Sequence, residues 1–292
     1  MELFLSFLTY SFLGWVCETT YCSLGSGHFI NRGFLTGPLC PIYGCGAISV
    51  LIFLRPLKDH AILLFVFGMI LTSAIEYFTS YIMEKLFHAK WWDYSTYRCN
   101  INGRVCLRNS LMFGALSVVA ARYVDPVVQG ALAAVPFWTS VALTEVLLIL
   151  LISDLVLTVH TIWELNGTLA QLQGLADQIQ ESREELRQER RLRAEQNMLD
   201  LELGKMELRD YLEERKTELA EYVEERKKER LLRREAQYKA LTEKADNRLK
   251  EFAARNSYLR RRLLQAFPNM RSTRYQIGLE QIKKELLKKK DK

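Results

Sequence analysis

AILLFVFGMILTSAI, residues 61–75, holds no charged side chain, and Glu76 follows it directly. A helix that crosses a bilayer needs roughly 20 largely apolar residues. The run reads as such a span, covering 60–84 and taking Glu76 into the membrane. VLLILLI at 146–152 has the same character, and a soluble domain of this size has little room for such segments. Working outward from them, we read five spans, at about 3–24, 40–56, 60–84, 108–124 and 137–160. MELFLSFLTYSFLGW at the start lacks a basic segment and a small-residue cleavage site, so it reads as a retained helix and not a signal peptide. Arg122, Asp125 and Pro126 suggest a turn after the fourth span. The apolar 127–135 stretch is then interfacial or extends either neighbour, up to the limit that Pro136 sets.

The mean hydropathy is close to zero only because two unlike halves are averaged. Residues 1–170 carry nine Lys/Arg against ten Asp/Glu, whereas residues 171–292 carry 31 against 24. The basic excess lies in residues 251–292, with twelve Lys/Arg against four Asp/Glu. From 166 to 267 there is no proline and only three glycines. Leu165, Leu169, Leu172, Ile179 and Leu186, then Tyr238, Leu241, Ala245, Phe252, Leu259 and Leu263, recur at helical spacing. Such a narrow seam suits a coiled coil. It blurs between Leu186 and Leu208 and is charged at Arg226, Arg230 and Arg234. The expected fold is therefore all-α, with a helical membrane domain of about five transmembrane helices at 1–164 and a long cytoplasmic coiled-coil helix at 165–267. A basic C-terminal segment, 268–292, follows. About 100 residues at 1.5 Å each would project on the order of 150 Å.

Orientation follows from basic residues in short loops. Arg32, Lys85, Lys90, Arg98, Arg104 and Arg108 fall on the side of the tail, against Arg55, Lys58 and Arg122 on the other. This predicts an outside N-terminus and a cytoplasmic tail in the cell membrane. A charge inside a span costs about 2.5–3.5 kcal/mol on insertion scales and usually faces an interior or a watery cavity. Glu18 and Glu76 would lie at similar depth in the cytoplasmic half, where the Asn31-Arg32 turn and WWDYSTYRCNINGRVCL at 91–107 also emerge. The candidate site is thus Glu18, Asn31, Arg32, Glu76, Trp91, Trp92, Asp93, Asn102 and Arg104. Carboxylates beside guanidinium groups can hold a cation or a zwitterion, relay a proton, or neutralise one another to lock the helices. Trp92 and Tyr94 can equally belong to an aromatic belt at the interface, with Arg32 and Arg104 only setting orientation. Asp154 and Glu145 read as structural. GPLCPIYGCG at 37–46 would bend or re-enter, through its prolines and glycines.

Neither the six cysteines nor the four histidines show metal or redox spacing, so no metal or cofactor is expected. There is no phosphate-cradling G-x-x-x-x-G-K-[ST] loop and no hydrolase motif. Any ATP hydrolysis would come from a separate subunit.

FLTYSFLGWVCETTY, NRGFLTGPLCPIYGCG, SAIEYFTSYIMEKLFHAKWWDYS and NINGRVCLRNSLMFG occur in this order between about residues 4 and 125. Together they resemble the ABC-transporter permease family of the CmpB type, small bacterial membrane proteins. The resemblance implies a transport role and falls on Gly14, Trp15, Glu18, Asn31, Arg32, Gly33, Gly37, Pro38, Pro41, Tyr43, Gly44, Glu76, Trp91, Trp92, Asp93, Tyr94, Asn102, Gly103 and Arg104. The long tail departs from the family core.

Three functions follow. The first is a permease or transport-associated component with a cytoplasm-facing polar pocket and no ATPase of its own. The second is a membrane-anchored scaffold acting through its tail, as a coiled-coil homo-oligomer or with a partner. The third is a membrane-embedded enzyme using Glu18, Glu76 or Asp93 for proton transfer, for which no nucleophile signature is present. The basic 251–292 segment could meet anionic lipid; nucleic acid is not an expected partner.

Overall fold

The computed structural model describes residues 1–203, 213–254 and 257–288. Helix α1, Glu2–Ser26, ends at Gly27, whose left-handed φ of 69° lets its amide return to the Ser23 carbonyl. Helix α2, Pro41–Phe53, begins with proline, where a missing N–H leaves nothing unsatisfied. Helix α3 is Ala61–Phe87 and helix α4 is Leu107–Val119. A π-turn at Ala120–Val124 then joins α4 to helix α5, Asp125–Ala133. The expected turn near Pro126 is this π-turn. The helix continues through it, and residues 127–133 extend the fourth apolar segment. Tyr10 and Arg122 hold the joint: Tyr10 donates to Asp125 at 3.1 Å, and Arg122 donates to the carbonyls of Lys58 and Asp59 at 2.8 and 2.6 Å.

Among the described residues, three helices are long and apolar enough to cross a membrane: Ala61–Phe87, Leu107–Ala133 and Phe137–Gln196. α1 has the length but is more polar. α2, at 13 residues, reaches only about 20 Å. Cys40 donates its amide to the Ser11 carbonyl at 2.9 Å, so α2 starts level with the middle of α1. Residues 31–40 therefore descend beside α1 as irregular backbone.

Small residues let the helices cross closely. A Cβ on Gly14 would lie 2.3 Å from the Tyr43 Cβ, and one on Gly44 would lie 2.6 Å from the Phe7 carbonyl oxygen. Between α3 and α4, Gly68 faces Ser117 and Gly114 faces the Phe65 carbonyl, while Ser73 bonds Ser110 at 2.7 Å.

Helix α6, Phe137–Leu203, runs from the membrane segment into the tail without a break at residue 165. Helix α7, Glu213–Ala254, packs back along it. Arg190 meets Glu235 at 3.1 Å, Arg234 meets Glu189 at 2.9 Å, and Lys227 meets Gln196 at 2.7 Å, which fixes an antiparallel hairpin. The tail is thus folded on itself, in place of the single projecting rod expected from its periodicity. The charged interruption in the seam is the reason: Arg234 sits against α6 and finds its carboxylates there. Leu208 lies outside the described residues.

Helix α8, Ser257–Ala266, and helix α9, Gln276–Lys288, return to the base of α6. Between them strand β4, Arg271–Ser272, pairs antiparallel with β1, Ala89–Lys90. A second small ladder joins β2, Asn100–Ile101, to β3, Val105–Cys106. Its turn is Asn102-Gly103, with φ of 54° and 69° and an Arg104 amide donating to the Ile101 carbonyl at 3.0 Å. Two positive φ values define the type I′ turn that suits a tight hairpin. These short strands, absent from the all-α expectation, leave the fold helical overall.

Candidate functional site

Two carboxylates, Glu18 and Glu76, anchor the site. Glu18 projects from α1 and accepts from Arg32 Nε at 3.3 Å through one oxygen; its other oxygen accepts the Tyr43 hydroxyl from α2. Glu76, on α3, is 5% exposed, and its Oε2 has no hydrogen-bond partner. The Tyr94 hydroxyl is hydrogen-bonded to Glu76, and the two glutamates lie within electrostatic reach of each other. Tyr94 stands in the loop outside the spans. Burial, then the Glu76 and Glu18 carboxylates, raise its pKa above the ordinary phenol range, so it remains a donor.

Asn31 and Arg32 reach this cluster on the irregular descent. Asn31 accepts from Trp15 Nε1 at 2.7 Å and donates to the Thr36 carbonyl at 2.8 Å, closing the turn. The Arg32 guanidinium also donates to the Ala266 carbonyl at the end of α8 and stacks over Phe267, 5.0 Å from its centroid. Asp154 of α6 accepts the amides of Thr36 and Gly37 at 3.0 and 2.8 Å. Irregular backbone away from water needs its polar groups satisfied by protein, and this carboxylate does so for two amides.

The other expected residues occupy different ground. Trp91 is 3% exposed in an apolar cluster with Phe87, Leu165, Leu169, Leu263, Phe267 and Ile282. Its ring meets Phe34, Phe87 and Phe267 edge-on. Trp92 donates Nε1 to the Arg104 carbonyl at 2.9 Å. Arg104 pairs with Glu84 at 2.5 Å and lies over Tyr77 and Tyr81, at 5.4 and 5.2 Å. Asn102 donates to the Tyr77 hydroxyl at 3.0 Å while holding its turn. Asp93 accepts the Ser95 amide at 3.0 Å and pairs with Arg271 at 3.1 Å. Burial works to raise the Asp93 pKa, but the Ser95 hydrogen bonds, Arg271 and Lys90 together bring it below the usual carboxylate value.

Glu18, Asn31, Arg32 and Glu76 thus come together. Arg104 and Asn102 join a separate group on α3, Trp91 packs in the core, and Asp93 tethers the tail. Tyr43 and Tyr94, which complete the carboxylate cluster, were marked for the site beforehand only through the family resemblance. Arg262 of α8 donates to the carbonyls of Gly33, Phe34 and Leu35, and no local signal in its own segment announces it. Among the described residues no group of three His, Cys, Asp or Glu side chains could hold a metal ion.

Apolar helices long enough to cross a bilayer mark a membrane protein. Residues 5–159 match the family described as "Putative ABC-transporter type IV", ABC_trans_CmpB, and the chain belongs to that family. No curated protein and no solved structure matches the chain significantly.

Proposed function

We propose that the chain is the permease subunit of an ATP-driven transporter, moving a small solute with a positively charged group past Glu18 and Glu76. The observation that carries this reading is Glu76 itself. A buried polar atom without a partner is costly and uncommon, and an ionisable residue inside a span marks a pathway by default. A cationic group would supply the partner that Oε2 lacks. Tyr94 and Tyr43 fix the two carboxylates from either side. The family membership supports a separate ATPase subunit, since the sequence has no phosphate-binding loop of its own.

Five crossings fit the alternation of helix ends, with residues 31–40 and α2 together making the second. The basic residues near the tail-side ends favour a cytoplasmic tail. Affinity purification from native membranes, followed by flux in proteoliposomes, tests the proposal. Co-purification of a nucleotide-binding subunit and ATP-dependent flux that Glu76→Gln abolishes are expected. A purified chain with no such subunit and no flux would sink it.

The α6–α7 hairpin gives the scaffold reading its one specific support, because its distal part stands clear of the membrane domain. That part can be shortened without touching the cluster at Leu165, Leu169 and Leu172, which a deletion of 166–292 would destroy. Arg271, Arg274 and Lys284 are exposed near the base of the tail, where each could contribute about 1 kcal/mol of attraction to anionic lipid.

A further inference from the structure

The irregular backbone at 31–40 is held from two sides. From within the membrane bundle, Asp154 takes the amides of Thr36 and Gly37. From the tail, Arg262 caps three successive carbonyls, bonding Gly33 at 2.9 Å and Phe34 at 3.4 Å as well as Leu35. Arg262 is 7% exposed and Leu35 is 1% exposed, so this contact excludes solvent. The same arm supplies the Ala266 carbonyl and the Phe267 ring to Arg32, whose guanidinium is the partner of Glu18. Further along, Arg271 pairs with Asp93, and Thr273 donates to the His88 carbonyl at 2.9 Å.

We propose that residues 257–288 form a latch: Arg262 and Ala266 of α8, with Phe267, clamp the 31–40 segment shut over the Glu18 cluster, and release of α8 opens it. The arm rests on an apolar seat that includes Leu263, Leu264 and Phe267, and the attachments to the 31–40 segment at its rim are polar and reversible. The clamped carbonyls are those of a segment with no helix or ladder to fall back on, so release of Arg262 leaves them to water and frees the segment to move. The consequence for solute access rests on the transport reading, but the latch itself does not.

Cys40 reports on the segment. Its thiol is 5% exposed, packs beside Gly33 and donates to the Arg32 carbonyl at 3.6 Å. Cys106 in β3 is 1% exposed and lies outside the clamped segment, so it reports on unfolding in general. Pulse labelling of the full chain in membranes with a small maleimide, quantified at each cysteine by mass spectrometry, separates the two. Arg262→Ala should raise the Cys40 rate at least about tenfold with Cys106 unchanged, as expected when a locally closed segment loses charged hydrogen bonds. Arg262→Lys, which keeps charge but not the fork, should fall between Arg262→Ala and the parent chain. An unchanged Cys40 rate in both variants overturns the latch. So does a parallel rise at Cys106 in both variants, which would make Arg262 a general support of the fold. Solute flux plays no part in this measurement, so the latch stands or falls on the labelling rates even where the permease reading fails.

Discussion

Glu76 and Asp93 are both acidic, and their surroundings give them opposite uses. Glu76 is buried with one oxygen unpaired, so Glu76→Gln should leave thermal stability unchanged or higher, because no charge is then buried. Flux should fall by at least about tenfold, the factor that loss of one charged contact of roughly 1.4 kcal/mol produces. Thermal unfolding in detergent alongside proteoliposome transport reads both. Asp93 is stabilised as a carboxylate by Ser95 and Arg271, with its pKa depressed in the fold. Its contribution is therefore present above the ordinary aspartate pKa of about 4 and disappears as pH falls through the lower folded value. Acidification across that window should loosen β4 from β1, seen as faster proteolysis near Arg271. Asp93→Asn should remove the pH dependence.

At the level of elements, glycine positions separate helix crossings from open surface. A Cβ at Gly44 would press on the Phe7 carbonyl, whereas Gly130 in α5 has nothing within 4 Å. Gly44→Ala should cost about 1–3 kcal/mol by forcing α1 and α2 apart. Gly130→Ala should be neutral or add up to about 1 kcal/mol through helix propensity. Denaturation of the two variants in the same detergent checks the contrast. Long apolar elements were readable because hydropathy persists over many residues. The Asn102-Gly103 hairpin is also written plainly, as an Asn-Gly pair between short strands, and the backbone conformation of Asn102 is a stronger signal there than its side chain. The π-turn was not legible, since Pro126 reads equally well as a break and as a distorted continuation.

For the molecule as a whole, the tail and membrane domain share one apolar cluster, built from Trp91 and Phe87 on one side and Leu263, Phe267, Leu279 and Ile282 on the other. Removing residues 257–288 should therefore lower the unfolding temperature of the membrane domain itself. Replacing only the distal hairpin, about 180–244, by a short turn should leave that temperature nearly unchanged. Scanning calorimetry or dye-monitored melting of both proteins distinguishes a docked arm from a free extension. Equal melting temperatures for the arm-deleted and intact chains would contradict the shared core.

Composition and periodicity alone determined that this chain has apolar segments fit for a membrane, a charged helical tail, and carboxylates set within two apolar segments, because each of these is a property of residues close together in sequence. The convergence of Glu18 and Glu76 was legible too, as a count of residues along two helices. The tertiary structure alone decided that the tail turns back, that Trp91 is a core residue, and that Arg262 caps carbonyls more than two hundred positions away. Those outcomes depend on which surface a long amphipathic helix finds, and the spacing of residues within the helix carries no record of its partner.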